Sequence, residues 1–269
     1  MLFKDTAVYY EKLESTSSRL EMIETLSELF SKSSPEEIRH LIYITQGVLS
    51  PSFEGVVIGL AESFAEQAIA AATGYSKDSV IQAYKKTGDL GAVAEDFCAK
   101  SKLKRISSKS FTVNDVFESM HKIARTGGQG SQDMKIKMLM EILSASSPLE
   151  ARYVTRFALG RLRLGLGDAT ILEALSKAFT GSRESKPILE NAYNICSDLG
   201  RIGEIMAEKG IKGVERIEVQ LFSPIRPALA ERLPTAEQIL EKMNGKCAAG
   251  QKLDVGKYDE NLFLDQYGE

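Results

Sequence analysis

Residues with the type and spacing to do chemistry fall in two places in this 269-residue chain. Near the C-terminus, Lys252-Leu-Asp254 and Lys257-Tyr-Asp259 repeat a K-x-D spacing. On a strand, residues two apart share a face, so each amine would stand beside a carboxylate. A partly desolvated lysine can act as a nucleophile, although a surface ion pair is the commoner meaning of so short a pattern. In the middle of the chain, Thr126-Gly-Gly-Gln-Gly-Ser-Gln-Asp-Met-Lys-Ile-Lys137 and Arg161-Leu-Arg-Leu-Gly-Leu-Gly167 each set glycines beside cations at the edge of a helical segment. Glycine lets backbone N–H groups approach an anion closely, and a helix N-terminus favours negative charge. The residues expected to grip a phosphate are Gly128, Gly130, Ser131, Gln132 and Lys135 in the first turn. In and after the second they are Arg161, Arg163, Gly165, Gly167 and Thr170. Ser131 is expected to cap the helix that begins there, and the arginines to offer bidentate charge. Such contacts hold a nucleic-acid backbone without reading bases. Neither turn contains an aromatic residue for base stacking, so a duplex fits better than a single strand. Either turn alone could equally be an ordinary helix–helix connection.

Other chemistries are poorly provided for. No G-x-x-x-x-G-K-[ST] phosphate loop and no G-x-S-x-G nucleophile turn occurs. The two histidines, His40 and His121, are expected to be structural, and the three cysteines, Cys98, Cys196 and Cys247, form no C-x-x-C pair. A Cys/His metal site is therefore not expected. The N-terminus lacks a secretory pattern and no run of 18 apolar residues exists, which places the expected site of action in a reducing cytoplasm, at the nucleoid. The formal net charge of −3 hides a gradient. Residues 1–99 carry a net −7, residues 100–186 a net +8 and residues 187–269 a net −4. A basic middle containing both glycine turns is what attraction to a polyanion requires.

The elements that must position these turns are helical. Apolar residues recur at helical spacing from Thr6, and Ser17 is expected to cap a helix through Leu20, Ile23, Leu26 and Phe30. Ser33-Ser-Pro-Glu-Glu37 is a capped start with proline in the first turn. Helices are expected over 56–72, 77–85 and 90–100, and after Thr112. Two echoes suggest a duplicated unit of about 110 residues. Ser33-Ser-Pro-Glu-Glu-Ile-Arg returns as Ser146-Ser-Pro-Leu-Glu-Ala-Arg at an offset of 113, and Ala83-Tyr84 with Asp89-Leu-Gly91 returns as Ala192-Tyr193 with Asp198-Leu-Gly200 at 109. In this alignment Gln46-Gly47-Val-Leu-Ser50 stands opposite Gly160-Arg-Leu-Arg-Leu164, so one copy would be structural and the other functional. After residue 213 the pattern changes. Val214-Glu-Arg-Ile-Glu-Val-Gln-Leu-Phe222 alternates like a strand, and Ser223 to Pro234 is proline-rich and extended. The expected fold class is mostly α: an all-helical domain with an internal pseudo-repeat over 1–213, then a short extended, strand-containing tail over 214–269.

Taken together, these residues resemble the ATP-dependent DNA ligases of the archaeal and eukaryotic replicative type. The resemblance is carried by 127–179, that is Gly-Gly-Gln-Gly-Ser-Gln, Ser-Ser-Pro-Leu-Glu-Ala-Arg-Tyr and Gly-Arg-Leu-Arg-Leu-Gly-Leu-Gly-Asp-Ala-Thr-Ile-Leu-Glu-Ala-Leu. It implies an N-terminal helical domain that grips duplex or nicked DNA across the minor groove. Pro224-Ile-Arg-Pro-Ala-Leu-Ala-Glu-Arg-Leu233 is similar to the family's entry into its nucleotidyltransferase domain. The family uses ATP and Mg2+ to adenylate the lysine of a K-x-D-G motif. Here a gapless match puts that lysine at Lys252, with Val255 replacing the glycine, and a match with an insertion puts it at Lys257, with Glu260 there. The resemblance thus implies a truncated ligase, or a fragment with a divergent tail, that is not expected to seal nicks or hold the cofactors tightly alone. Ser107-Ser-Lys-Ser-Phe111 lies where relatives can contact a sliding clamp. The alternatives are a fragment that adenylates itself on Lys252 or Lys257, and a non-enzymatic helical protein-interaction module.

Overall fold

The computed structural model describes residues 1–101, 103, 110–226, 235 and 238. The chain divides into the units Met1–Arg226 and Pro227–Glu269, and the fold below is that of the first. Among the described residues it has twelve α-helices. They are α1 (Phe3–Glu14), α2 (Arg19–Ser31), α3 (Pro35–Gln46), α4 (Glu62–Thr73), α5 (Lys77–Thr87) and α6 (Leu90–Ala99). After the connection come α7 (Val113–Arg125), α8 (Ser131–Ala145), α9 (Pro148–Ala158), α10 (Asp168–Thr180), α11 (Lys186–Cys196) and α12 (Leu199–Val214). Their starts follow from sequence. Proline opens α3 and α9, and Ser147 and Glu150 bond reciprocally at the start of α9. Asp89 and Asp198 cap α6 and α12 through their carboxylates.

The pseudo-repeat is visible as a crosswise pairing. Helix α3 packs on α12 while α9 packs on α6, and α2 packs on α10 while α8 packs on α4. Helix α1 contacts α9 as α7 contacts α3. Each half therefore buries its apolar faces mainly against the other, in one continuous core from Phe3 to Ile217. Two places mark the pseudo-twofold axis. Phe3 N–H donates to the Phe111 carbonyl at 2.8 Å and Val113 N–H to the Met1 carbonyl at 3.2 Å, around a Leu2–Thr112 antiparallel bridge. Gly47 and Gly160 also face each other. A Cβ on Gly47 would stand 3.3 Å from the Gly160 carbonyl, and one on Gly160 3.6 Å from the Gly47 carbonyl. The true register therefore matches Gly47, and not Gln46, with Gly160.

The repeats also hold matched polar joints. Arg156, buried on α9, makes hydrogen bonds to Asp89 (Nε to Oδ2, 3.0 Å) and a two-pronged bond to Glu14 (2.7 and 2.9 Å). At the corresponding place Tyr43 donates to Asp198 at 2.9 Å, beside Arg39. His40 stacks on Phe117 with ring centroids 4.0 Å apart and bonds Asn114 at 2.8 Å, and His121 also faces Phe117, so both histidines are structural.

Three local expectations need correction. Ser18, not Ser17, caps α2. The helix expected over 56–72 starts only at Glu62, because Pro51, Gly55 and Gly59 keep the preceding segment extended, with both glycines at positive φ. The alternation in 214–222 does not make a strand. Val214 ends α12, residues 215–216 turn, and no neighbouring strand among the described residues offers a ladder. Within α12, Gly210 breaks the helical φ/ψ.

Candidate nucleic-acid interface

The first glycine turn is open to solvent. Gly128 and Gly130 have φ of +87° and +78°, and a Cβ on either would meet nothing within 4 Å. They are glycines for their left-handed backbone and not for lack of room. Gly130 is itself the N-cap of α8, which corrects the expectation for Ser131: it is the first helical residue and cannot cap the helix it belongs to. With no side-chain cap, the N–H groups of Gln132 and Asp133 in the first turn of α8 keep their donor capacity for a ligand or water, while the Ser131 N–H donates to the Gly128 carbonyl at 3.2 Å. Lys135, one turn further on, places its Nζ 3.3 Å from the Gly59 carbonyl.

The second turn is built by alternation. Leu162 and Leu164 are buried and pin the loop, which turns Arg161 and Arg163 outward. Arg161 N–H also donates to the Arg156 carbonyl at 2.8 Å. Arg163 has φ +61°, a left-handed conformation that costs a side-chain-bearing residue about 1–2 kcal/mol. Its guanidinium donates to the Gly88 carbonyl at 2.8 Å. Arg161 donates to Glu62 at 3.0 Å, and Tyr84 stands near the same carboxylate, its phenol pushed up by burial and then by Glu62. Gly165 is left-handed (φ +66°) and exposed, and Gly167 is the N-cap of α10. Thr170, in the first turn of α10, is 9% exposed.

The two turns meet on the first repeat. Lys135 reaches Gly59, and Arg161 reaches Glu62 three residues later. The 59–61 backbone also lines a groove with Val48, Leu49, Ile58, Ala158 and Gly160. The first copy is thus more than a scaffold, because its 59–62 segment and the Gly88 carbonyl orient the cations of the second. Sequence reasoning missed these acceptors and the exposed Lys85 and Lys86, which end α5 just before Gly88. The lysine pair at a helix end before glycine was the available signal. Lys252 and Lys257 lie outside the described residues, as do residues 107–109 of the segment matched to a clamp contact. Phe111, its aromatic residue, is buried. Among the described residues no group of three or more His, Cys, Asp or Glu side chains could hold a metal ion, and no helix is long and apolar enough to cross a membrane.

Residues 2–176 match the family model described as DNA ligase N terminus. The chain belongs to this DNA ligase family. Among its relatives, "DNA ligase 2" of Korarchaeum cryptofilum is 42% identical over 265 residues, covering 98% of this chain and 45% of that protein. The "DNA ligase" of Nitrosopumilus maritimus is 41% identical over 254 residues, 94% of this chain and 43% of that one. That of Saccharolobus solfataricus is 41% identical over 277 aligned residues, 98% and 46% respectively. The chain thus spans less than half the length of these DNA ligases. Both glycine turns fall inside the matched residues, so the surface described above is part of the DNA ligase N-terminal domain.

Proposed function

We propose that this chain holds duplex or nicked DNA for an ATP-dependent DNA ligase, gripping the sugar–phosphate backbone without reading base sequence. The observation that carries the reading is the 161–167 turn: two arginines held outward by two buried leucines, beside an uncapped helix N-terminus with Lys135. A phosphate can take guanidinium donors in a fork and backbone N–H groups at a helix end, and such contacts carry no base information. ATP and Mg2+ supply the activated adenylate in the ligases as a whole. The part proposed for residues 1–226 is holding the duplex. Lys252 or Lys257 as the adenylated residue is a separate proposal, tested by incubation with labelled ATP and Mg2+ and a search for covalent AMP.

The holding role is tested by titrating nicked, intact and single-stranded DNA over a range of salt. The parent should prefer duplex to single strand, with affinity falling steeply as salt rises. Arg161→Ala with Arg163→Ala should weaken binding alike on every sequence and make the slope of log K against log salt shallower by about 2, one for each phosphate that no longer meets a guanidinium. A double variant indistinguishable from the parent at every salt concentration sinks the assignment.

A further inference from the structure

Arg161 does not stand alone. It completes a Tyr84–Glu62–Arg161 triad in which the carboxylate is the first residue of α4. Tyr193 is the repeat counterpart of Tyr84, and α10 that of α4, and there a similar triad stands with an aspartate in place of the glutamate. Asp168, the first residue of α10, accepts from the Tyr193 hydroxyl at 2.7 Å and from Arg226 Nη1 at 3.2 Å. The Arg226 guanidinium lies over the Tyr193 ring, 4.2 Å from its centroid. In sequence Arg226 stood out only as part of the proline-rich entry to the nucleotidyltransferase domain, and not as a backbone contact.

We propose that Arg226 is a second phosphate-contacting arginine, standing at the α10–α11 carboxylate as Arg161 stands at the α4–α5 one although it is not Arg161's repeat mate in sequence, with the DNA backbone as its ligand. The proposal rests on the duplex-holding reading. Four observations carry it. Both triads adjoin the same end of the axis: Arg161 follows Gly160 directly, and Gln46, which precedes Gly47, donates to Asp168 at 3.2 Å. Both ion pairs are half open to water, with side chains 63% and 42% exposed for Arg161–Glu62 and 41% and 40% for Arg226–Asp168. Pairs this exposed are worth little, so a phosphate can take either guanidinium without a large penalty. The Arg226 backbone is already fixed. Its N–H donates to the Asn194 carbonyl at 2.8 Å, the Ser223 hydroxyl to the Cys196 carbonyl at 2.9 Å, and the Ser197 hydroxyl to the Pro224 carbonyl at 2.7 Å. A pre-placed stem lowers the entropy lost when the head binds. Finally, two exposed cations held at corresponding elements of the two repeats suit a ligand with two backbones, as a duplex has.

The test measures fluorescence anisotropy of a labelled nicked duplex over a salt series, for the parent, Arg161→Ala, Arg226→Ala, Arg226→Lys and Asp168→Asn. Arg226→Ala should weaken binding and make the salt slope shallower by about 1, as Arg161→Ala does. Arg226→Lys should restore the slope, because it keeps the charge while losing the fork. Asp168→Asn should bind more tightly at low salt, since it removes the competing carboxylate. If Asp168 and Arg226 were only a structural latch, Asp168→Asn would instead weaken binding, and that result overturns the proposal. So does an Arg226→Ala slope equal to the parent's while Arg161→Ala flattens as expected. If Arg161→Ala is also without effect, it is the duplex-holding reading that falls. Thermal melting of each variant identifies any that fail to fold, and the Arg226→Lys comparison remains decisive in that case.

Discussion

Arg156 shows how much one side chain can join. It comes from the second repeat, yet its partners Glu14 and Asp89 belong to the first, and it lies buried between them. A buried guanidinium is tolerable only when carboxylates surround it, and removing it leaves Asp89 with the Gly91 N–H and the charge of Arg163 alone. Arg156→Met should therefore cost about 3–5 kcal/mol in urea unfolding. The pH dependence has a definite sign. The Arg156 hydrogen bond, working against burial, holds the Glu14 carboxyl below its ordinary value. For Asp89 burial pulls upward, and the Arg156 bond and charge outweigh it, so this group too is held low. A depressed acid contributes stability that is complete above its unfolded value and is lost as pH falls through the folded one. The melting temperature of the parent should hold above about pH 5 and fall steeply below about pH 4. In Arg156→Met the part of that fall due to Glu14 and Asp89 should shrink to what Arg152, Tyr153, Arg163 and the Gly91 N–H still hold. A variant whose acid limb runs parallel to the parent's contradicts the assignment. None of this was readable in sequence, where Arg156 looks like any arginine on a helix, because an ion pair spanning 142 residues leaves no local pattern.

Helices were the most legible level, for a local reason. Serine and proline starts, acidic first turns and apolar spacing are all properties of neighbours in sequence, and α3, α5, α6, α7 and α9 lie close to where those signals put them. The failures were also local in origin. Valines and an isoleucine between Gly55 and Gly59 imitate a helix face, yet the segment is extended, and an alternating 214–222 has no second strand to pair with among the described residues. A position that matters at this scale is Gly91, where α6 meets α9. A Cβ there would stand 2.6 Å from Arg156 Cγ and 2.8 Å from the Arg152 carbonyl, a contact the backbone cannot relieve by rotamer change. Gly200 repeats the device against Tyr43, at 2.5 Å from its ring. Gly91→Ala should lose about 1–3 kcal/mol through overpacking, against the usual gain of a helical alanine over glycine. An exposed glycine such as Gly127, with nothing within 4 Å, serves as the control. Equal stability changes at Gly91 and Gly127 would show that the close approach is not limiting.

At the level of the whole molecule the duplication was legible and its consequence was not. The echoes at 113 and 109 residues announce two copies, but periodicity carries no information on which helix packs on which. The same limit applied to the candidate interface. Glycine–cation turns stand out in sequence, whereas their acceptors, Gly59, Glu62 and Gly88, are unremarkable residues made relevant by the fold. Because α2, α3, α8 and α9 all pack on partners from the other copy, Met1–Arg226 should unfold in one cooperative transition, with calorimetric and van 't Hoff enthalpies equal. Two resolved transitions would mean that one copy keeps a core of its own.

The facing glycines at Gly47 and Gly160 have one more implication. Where identical turns meet across an axis, the joint does not depend on the peptide connection between the copies. A chain cleaved between residues 101 and 110 should remain a single particle through its interleaved helices, migrating at the intact mass on a sizing column. By the same logic, one six-helix copy produced alone would expose the faces its sister normally covers and should pair with itself, as a homodimer with a true axis where the intact molecule has an approximate one.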